Sequence, residues 1–446
     1  MDRIDERVLT QRKHYVSVRA KFFLCLVPAV LWASLSLWLA IPWLINLAQH
    51  VGLIAAVFLI VGIAILPGFM NAFLMSSLLL DHRPRHHPVD RYPGVSILVA
   101  AYNEEETIAA AVQSIAAQAY AGPLQVMVIN DGSSDNTASI VRALQHQYDW
   151  LELIDYPANA GKAYALNRGL AHARHRLVMT IDADSCLYHR ALASLVERYL
   201  QDPPNTRAVA GKVLVRNSRD NWLTRAQEWD YFHGIAAIKR MQSLFQGTLV
   251  AQGAFSIYDR DTLVAVGGWP SCVGEDIVLT WAILKAGHRV GHCEDACMFT
   301  TVPNTVSQFV KQRQRWGRGM IEAFRQHPDI LLKPRLSTFF IYWNLLFPWL
   351  DLAFTFGFLP GIVLACFGHF WIVGPMTLAL LPLALAMSFL MFSVESHMFD
   401  TIGLRVRRNL LGFAIYVLAY GLLLQPASVL GYLNEILRTR KTWGTK

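Results

Sequence analysis

The chain has 446 residues, of which 54% are hydrophobic and only 16% are charged. This composition is too apolar for one soluble domain and points to membrane segments. The formal net charge of +8 raises nucleic acid as a partner. Because the basic residues cluster beside long apolar runs, we expect them to meet anionic membrane lipid, with no nucleic acid bound.

The N-terminal part predicts a basic cytosolic segment (1–21) followed by a transmembrane helical hairpin (22–80). Two uncharged runs, Phe22 to Ala48 and Val51 to Leu80, are each long enough to cross a bilayer. We expect the turn between them at Gln49-His50. Basic residues before and after the hairpin mark its open end as cytoplasmic, so the next domain should be cytosolic.

A Pro-rich linker (81–94), whose histidines we expect to be solvated, precedes a domain with a different pattern (95–302). Apolar runs that read as buried strands alternate there with helical patterns over 104–119, 135–147 and 162–174. The runs are Val95–Ala101, Gln125–Ile129, Leu151–Ile154 and Leu177–Ile181. This alternation predicts an α/β fold with a parallel sheet. Neither a dinucleotide fingerprint nor a P-loop is present, which argues against an oxidoreductase and a P-loop NTPase.

Polar side chains follow the predicted strands, where ligands of parallel sheets bind. Asp182 and Asp184 follow the fourth strand, and Mg²⁺ typically takes one or two carboxylates plus substrate phosphates. Taken alone, this pair is explained equally well as a strand end or a helix cap. The other strand ends offer an aromatic ring for a base, carboxylates for its imide, and a lysine for a diphosphate. These residues are Tyr102, Glu104, Asp131 and Lys162.

Three downstream segments suggest an acceptor side. Gly247–Phe255 predicts a small-residue strand that a ligand can approach closely. Glu275-Asp276 opens a helix, either as first-turn acids or as the site of a general base. Amphipathic interfacial helices are predicted over 303–335. A lipid-surface helix explains their charges, but it does not explain the string Gln312-Arg313-Gln314-Arg315-Trp316.

The C-terminal block (336–434) predicts further transmembrane helices and ends in a basic tail (435–446). Three apolar runs would give three spans and place the tail outside, against the positive-inside tendency. Either one segment is re-entrant or interfacial, or the rule fails, so the number of spans stays open. Asp351 is an intramembrane acid that could line a polymer path. An acid at a helix break near the headgroups is an equally good explanation.

Over about residues 90–330 the chain resembles the processive, membrane-embedded family 2 glycosyltransferases, which include the poly-N-acetylglucosamine, chitin-oligosaccharide, hyaluronan and cellulose synthases. It looks most like the bacterial poly-β-1,6-N-acetylglucosamine synthases, whose polymer is a biofilm exopolysaccharide. The matching motifs are Tyr102-Asn103-Glu104, Asn130-Asp131-Gly132-Ser133, Gly161-Lys162, Asp182-Ala183-Asp184, Glu275-Asp276 and the Gln-x-x-Arg-Trp of residues 312–316.

The resemblance implies a GT-A type fold, with a mixed, mainly parallel sheet embedded between transmembrane helices. It implies a UDP-sugar donor, a growing polysaccharide acceptor and a divalent metal, Mg²⁺ or Mn²⁺. The protein would be a multi-pass protein of the bacterial inner membrane with its catalytic domain in the cytosol. We expect no cyclic-di-GMP-binding tail, so such control would need a small membrane partner subunit.

Roles follow from the same resemblance. Tyr102, Glu104 and Asp131 would hold uridine, while Lys162 and Asp182 would contact the nucleotide. Asp184 would ligate the metal. Asp276 would deprotonate the acceptor hydroxyl, Trp316 would floor the acceptor subsite, and Gln312 and Arg315 would contact the pyrophosphate. The family usually has Thr before Glu-Asp, whereas this chain has Gly274, which leaves open how the loop positions the base.

Two other functions compete with a polysaccharide synthase. A non-processive enzyme that transfers one sugar to a lipid phosphate fits the donor motifs, but the Gln-x-x-Arg-Trp string argues against it. A transporter with a nucleotide-binding regulatory domain fits the apolar blocks, but it leaves the strand-end carboxylates and Asp276 unused.

Overall fold

The computed structural model describes residues 16–81, 86–374, 377, 381–405 and 407–439. Most of the predicted basic segments 1–21 and 435–446, and part of the linker 81–94, lie outside these residues. The described parts form a helical hairpin, an α/β domain and a set of C-terminal helices.

The hairpin consists of helices Val18–Val51 and Leu53–Leu79. They are separated by Gly52, whose φ is +80°. The turn predicted at Gln49-His50 is wrong, because the first helix continues to Val51 and breaks at the glycine, which adopts positive φ without steric cost. The rings of Phe22 and Phe73 meet at 5.5 Å, so the two helices pack along each other in opposite directions.

The α/β domain contains one eight-stranded sheet with the order β3-β2-β1-β4-β7-β6-β8-β5. Strands β1 to β4 are mutually parallel where they pair, β7 is antiparallel to β4 and β6, and β6 is parallel to β8. The strands are β1 Val95–Ala101, β2 Leu124–Asp131, β3 Leu151–Tyr156, β4 Leu177–Ile181, β5 Cys186–Leu187, β6 Thr206–Val215, β7 Phe255–Asp259 and β8 Arg289–Thr300. The prediction of a mixed, mainly parallel sheet is confirmed.

The central strands form because their residues are apolar on both faces, as expected for parallel strands covered by helices on each side. Leu98 and Val178 contribute to one hydrophobic core, and their neighbours Ile97 and Met179 contribute to the core on the other face. All four side chains are fully buried. The carboxyl ends of β1, β2 and β4 therefore lie at one rigid edge.

Helices cover both faces of this sheet. The domain helices are Ile108–Ala116, Thr137–Gln145, Lys162–His172, Ala191–Gln201, Arg260–Ala265 and Glu275–Lys285. A longer helical segment runs through Trp222–Trp229, the π-helical Asp230–Ala237 and Ile238–Leu244. Helix Val306–Gln326 and the short 3₁₀ segment Pro328–Leu332 then lead to the C-terminal helices.

The strand predicted at Gly247–Phe255 is wrong, because only Phe255 belongs to a strand, β7. The preceding residues have irregular backbone whose amides bond outside any ladder. Leu249 N donates to the side chain of Gln242 at 3.1 Å, and Ala251 N donates to Thr280 Oγ1 at 2.8 Å. Small residues here serve close packing rather than strand pairing.

The linker is held against the domain, so the expectation that its histidines are solvated is wrong for His86. Its Nδ1 lies 2.8 Å from Glu197 Oε2, and its Nε2 lies 3.1 Å from Asp295 Oδ2. Arg240 Nε donates to Asp81 Oδ2 at 2.7 Å at the start of the linker. Two ion-pair clusters thus fasten the end of the hairpin to the domain.

The C-terminal helices are Leu336–Cys366, Leu381–Thr401, Leu410–Leu418 and Tyr420–Ile436. Within the described residues, three helices are long and apolar enough to cross a membrane: the two of the hairpin and Leu336–Cys366. The last two helices are bent by 52° and together form a broken span or a re-entrant loop, which would be a fourth. Asp351 Oδ2 accepts a hydrogen bond of 2.6 Å from Tyr432, so this acid joins two of these helices.

Candidate active site

Lys162 connects the Asp-x-Asp pair with the acids downstream. It begins helix Lys162–His172 directly after Gly161, which has a φ of +97°. Its Nζ donates to Asp182 Oδ1 at 2.5 Å and lies 3.9 Å from Glu275 Oε1. Burial lowers the pKa of Lys162, but Asp182 and Glu275 outweigh burial and raise it above its ordinary value. The lysine therefore stays charged between two carboxylates.

Asp184 lies in a group of like charges. Ser185 Oγ and Thr300 Oγ1 donate to its Oδ1 at 3.1 and 3.3 Å. Burial, followed by the charges of Asp182 and Glu104, raises the pKa of Asp184 to about 6. Burial and like charges both disfavour ionisation of this carboxyl group, and the opposing effects of Ser185 and Lys162 on its pKa are smaller.

These carboxylates fit a hard divalent cation. Oxygen ligands are what Mg²⁺ takes, and one or two protein carboxylates completed by substrate phosphates are its usual set. Among the residues that the structure describes, no cluster of three or more His, Cys, Asp or Glu side chains forms a complete protein-only site. Asp184, with Asp182 beside it, would therefore hold a cation together with a phosphorylated ligand.

Asp131, at the end of β2, shapes the loop before Lys162. Its carboxylate is buried and accepts hydrogen bonds from Ala160 N at 2.9 Å and Gly161 N at 2.7 Å. Both oxygens are thus bonded to the loop backbone. In the structure Asp131 contacts this loop. Its contact with uridine stays a prediction.

The turn after β1 leaves one aromatic face open. Asn103 has a positive φ of 54°, and its side-chain oxygen accepts from Ser134 N at 2.9 Å in the turn after β2. The preceding Tyr102 is 49% exposed, so its ring is available for stacking. Glu104 accepts from Thr107 Oγ1 at 2.8 Å, which holds it near Asp184.

The two acids at the start of helix Glu275–Lys285 have different environments. Glu275 is buried beside Lys162, and burial raises its pKa to about 8 against the lowering effect of the lysine. Asp276 is half-buried, with Gly253 N donating to its Oδ2 at 3.4 Å and Ile277 N to its Oδ1 at 2.8 Å. Of the two, Asp276 has the more accessible carboxylate.

Helix Val306–Gln326 brings the Gln-x-x-Arg-Trp residues to the same region. Burial lowers the pKa of Arg315, while the charges of Glu275 and Asp182 oppose this effect. Arg315 therefore lies near enough to these acids to interact with their charges. Its Nε is buried, with no hydrogen-bond partner among the residues that the structure describes. Trp316 is 43% exposed, and the guanidinium of Arg313 lies 4.1 Å from the centre of its ring.

Arg313 lies between the predicted site residues Gln312 and Arg315 in the sequence, but its contacts are with other helices. Its side chain is buried and pairs with Asp230 Oδ2 at 2.8 Å. It also donates to the hydroxyl of Tyr420 at 2.9 Å. Arg313 therefore anchors helix Val306–Gln326 to the long domain helix and to the C-terminal helix Tyr420–Ile436.

The sequence patterns missed Tyr231, which the structure places among predicted site residues. Its ring centre lies 6.3 Å from that of Trp316. Burial raises the pKa of Tyr231 to about 12, against the lowering effects of Arg313 and Gln312. The residue belongs to the π-helical segment Asp230–Ala237, and such segments occur often at functional sites. No motif marks it, because a π-helical turn has no clear sequence signal.

The α/β domain is similar in sequence to known proteins. A family model described as "Glycosyltransferase like family 2" matches residues 93–319. A poly-beta-1,6-N-acetyl-D-glucosamine synthase of Staphylococcus aureus (strain COL) is 34% identical over 232 residues, which cover 52% of this chain and 55% of that protein. The synthase of the same name from Staphylococcus epidermidis is 33% identical over 242 residues, which cover 54% of this chain and 57% of that protein. The chain thus spans about half the length of the curated relatives it matches.

Among solved structures, a mannosyltransferase from Pyrobaculum calidifontis in complex with GDP-mannose and Mn²⁺ has a similar fold. The TM-score is 0.56 at 20% sequence identity, and the match covers 90% of this chain and 99% of that one. This similarity confirms the expected GT-A-like architecture.

Proposed function

The chain belongs to the family 2 glycosyltransferases, and from this premise we propose that it is an inverting membrane synthase. It would polymerise a β-linked polysaccharide, poly-N-acetylglucosamine, from a UDP-sugar and feed the product across the membrane. The observation that carries the proposal is the meeting of Asp182, Lys162 and Glu275 at one sheet edge. The names of the staphylococcal relatives support the choice of sugar.

On the donor side, each group has a physical task. Tyr102 offers an exposed ring for the base, and Glu104 and Asp131 lie at the neighbouring strand ends. Lys162 and Arg315 supply positive charge toward the diphosphate. A divalent cation held by Asp184, with Asp182 beside it, would neutralise charge on the leaving diphosphate.

Asp276 is the proposed general base. Its carboxylate is half-buried and accepts only backbone hydrogen bonds from Gly253 and Ile277 among the described residues, so it carries no ion pair that would compete with a proton from an acceptor hydroxyl. The hydroxyl oxygen forms a bond to the anomeric carbon of the donor as the bond from that carbon to the diphosphate oxygen breaks, and UDP leaves with the electron pair. A single in-line displacement converts an α-linked donor into a β-linked product.

On the acceptor side, Trp316 is proposed to stack on the growing chain, while Gln312 and Arg315 approach the pyrophosphate. A route for the product is supported by a cavity of about 350 Å³ between the C-terminal helices, lined in part by Asp230, Tyr416 and Gln425. Because Asp230 pairs with Arg313, three residues before Trp316, this cavity lies next to the proposed acceptor subsite.

The proposed location is the bacterial inner membrane, with several spans and the catalytic domain in the cytosol. The candidate spans support membrane insertion. A cytosolic site fits because UDP-sugars are expected on that side, and a polymer made there has to cross the membrane.

The function can be tested by incubating membranes that contain the protein with a panel of labelled UDP-sugars, with Mg²⁺ or Mn²⁺. We expect label from UDP-N-acetylglucosamine to enter a polymer that a β-1,6-specific hydrolase degrades. Label only in a short lipid-soluble product would favour the non-processive transferase instead. No incorporation from any UDP-sugar would contradict the proposal.

A further inference from the structure

Gly274, the residue before the two acids, touches the backbone of Gly319 on helix Val306–Gln326. A Cβ atom added to Gly274 would lie 2.4 Å from Gly319 Cα, and one added to Gly319 would lie 2.7 Å from Gly274 Cα. Distances under 3.0 Å to backbone atoms leave no room for a side chain on either residue. This is a glycine-on-glycine contact between two different elements.

Space, and not backbone conformation, requires the glycine at position 274. Its φ and ψ are −101° and 50°, with φ in the negative range that any residue adopts. The glycine therefore allows close approach of two backbones. The absence of the threonine that usually stands before Glu-Asp in the family is matched by the small residue that faces it, Gly319.

A second contact holds the same position. Gly274 N donates to Glu322 Oε2 at 2.8 Å, and Glu322 is buried. Farther along the two helices, the rings of Trp281 and Phe324 meet edge to face at 4.8 Å. Helix Glu275–Lys285 is therefore packed along helix Val306–Gln326, with the closest approach at the end that carries Asp276.

We propose that Gly274 and Gly319 are positioning residues that set the distance between Asp276 and Trp316. This inference rests on the proposed function. Asp276 follows Gly274 by two residues in the first turn of its helix. Trp316 precedes Gly319 by three residues, which is about one helical turn. The contact between Gly274 and Gly319 thus lies between Asp276 and Trp316. The hydrogen bond from Gly274 N to Glu322 holds the two backbones together.

The test is to purify the full chain in detergent with each of four test substitutions and one control substitution, and to compare turnover with donor binding. Gly274→Thr and Gly319→Ala each insert a side chain into the contact. Glu322→Leu removes the acceptor of the Gly274 hydrogen bond, whereas Glu322→Gln keeps an acceptor oxygen. Ser271→Ala, at an exposed position of the same loop, is the matched control.

We expect Gly274→Thr and Gly319→Ala to lower kcat by about 100-fold, the scale of a misplacement of about 1 Å, with UDP affinity nearly unchanged. Alanine is the better helix former, so Gly319→Ala does not weaken its own helix. Thermal unfolding of each variant in detergent distinguishes a shifted contact from a loss of folding. Glu322→Leu should lower kcat, while Glu322→Gln should recover most of it. Ser271→Ala should behave like the unsubstituted chain.

Full kcat in Gly274→Thr, or equal losses of kcat and UDP affinity in all four variants, would overturn the inference while leaving the proposed function standing. Equal activity of Glu322→Leu and Glu322→Gln would also overturn it. If the unsubstituted protein transfers no sugar from any UDP-sugar, the proposed function fails, and the inference fails with it.

Discussion

At the scale of single residues, the two acids of each acidic pair in the candidate site have different environments. Asp182 is neutralised by Lys162, while Asp184 is left among like charges. Glu275 is buried beside the same lysine, while Asp276 is half-buried. In each pair one acid lies beside Lys162, and we propose the other acid for contact with the cation or the acceptor.

Asp184→Asn removes the charge that the proposed cation needs. We expect transfer to fall to background, and the dependence of UDP binding on Mn²⁺ to disappear, as measured by titration calorimetry with and without the metal. Asp329→Asn, at an acid in an exposed pair with Lys285, is the control. Full transfer by the unsubstituted protein in excess EDTA would show that the reaction does not need a divalent metal.

Asp276→Asn keeps the shape of the side chain but cannot accept the proton. We expect a fall in kcat of about 10² to 10⁴-fold, the usual contribution of a general base. The affinity for UDP should stay nearly intact, because Lys162 and the Asp-x-Asp pair are untouched. Weakened UDP binding with normal turnover would show that Asp276 belongs to the donor site.

At the scale of elements, helix Val306–Gln326 connects the candidate site with the C-terminal helices. Its pattern predicts an interfacial helix, and its place relative to a membrane stays a prediction. In the structure the helix packs between the α/β domain and helix Tyr420–Ile436. Gly431 comes close to the backbone of Gln314 there. Arg313 and Arg318 are buried in ion pairs rather than solvated.

Trp316→Ala removes an aromatic floor from this helix without touching the donor residues. We expect shorter polymer at a given conversion, since stacking on a sugar ring is lost, while cleavage of the UDP-sugar continues. Product size can be measured by gel filtration of labelled polymer. Val306→Ala, at an exposed position of the same helix, should leave it unchanged, and an unchanged length in Trp316→Ala would take the residue out of the acceptor site.

The sequence pattern predicted those elements that are determined by their own residues. Strands β1 and β4 are continuous apolar runs, so their pattern gives them residue for residue. The segment Gly247–Phe255 has the composition of a strand, but its backbone is bonded by side chains distant in sequence, Gln242 and Thr280. The motifs likewise gave most of the candidate site, whereas Tyr231 and the Gly274–Gly319 contact depend on packing between elements, which no single segment encodes.

At the scale of the whole molecule, the linker holds the α/β domain against the end of the N-terminal helical hairpin. His86 carries this attachment, because both of its ring nitrogens face carboxylates of the domain. Burial lowers the pKa of His86, but hydrogen bonds to Asp295, Cys293 and Glu197 raise it to about 10. The imidazole of the folded protein is therefore charged at neutral pH.

His86→Gln should destabilise the protein by about 3 kcal/mol at neutral pH, as expected for breaking a buried ion pair. Because the folded pKa lies above the unfolded value of about 6.5, this stability is fully present below that pH. It is lost as the pH rises through about 10. Thermal unfolding in detergent should show the two proteins converging at high pH.

His87→Gln is the control for this experiment, because the neighbouring histidine is exposed. It should unfold like the unsubstituted protein at every pH. A difference between His86→Gln and the unsubstituted protein that stays constant from neutral to high pH would contradict the ion-pair explanation.

We propose that a single displacement at the anomeric carbon, with Asp276 as the base, moves a sugar from an α-linked UDP donor to a polymer. It is tested most directly by proton NMR of the polymer that the purified protein makes from UDP-N-acetylglucosamine, read at the anomeric position. The account predicts β linkages throughout. A polymer with α linkages would contradict it, because retention of configuration requires a different mechanism from the single displacement proposed for this site.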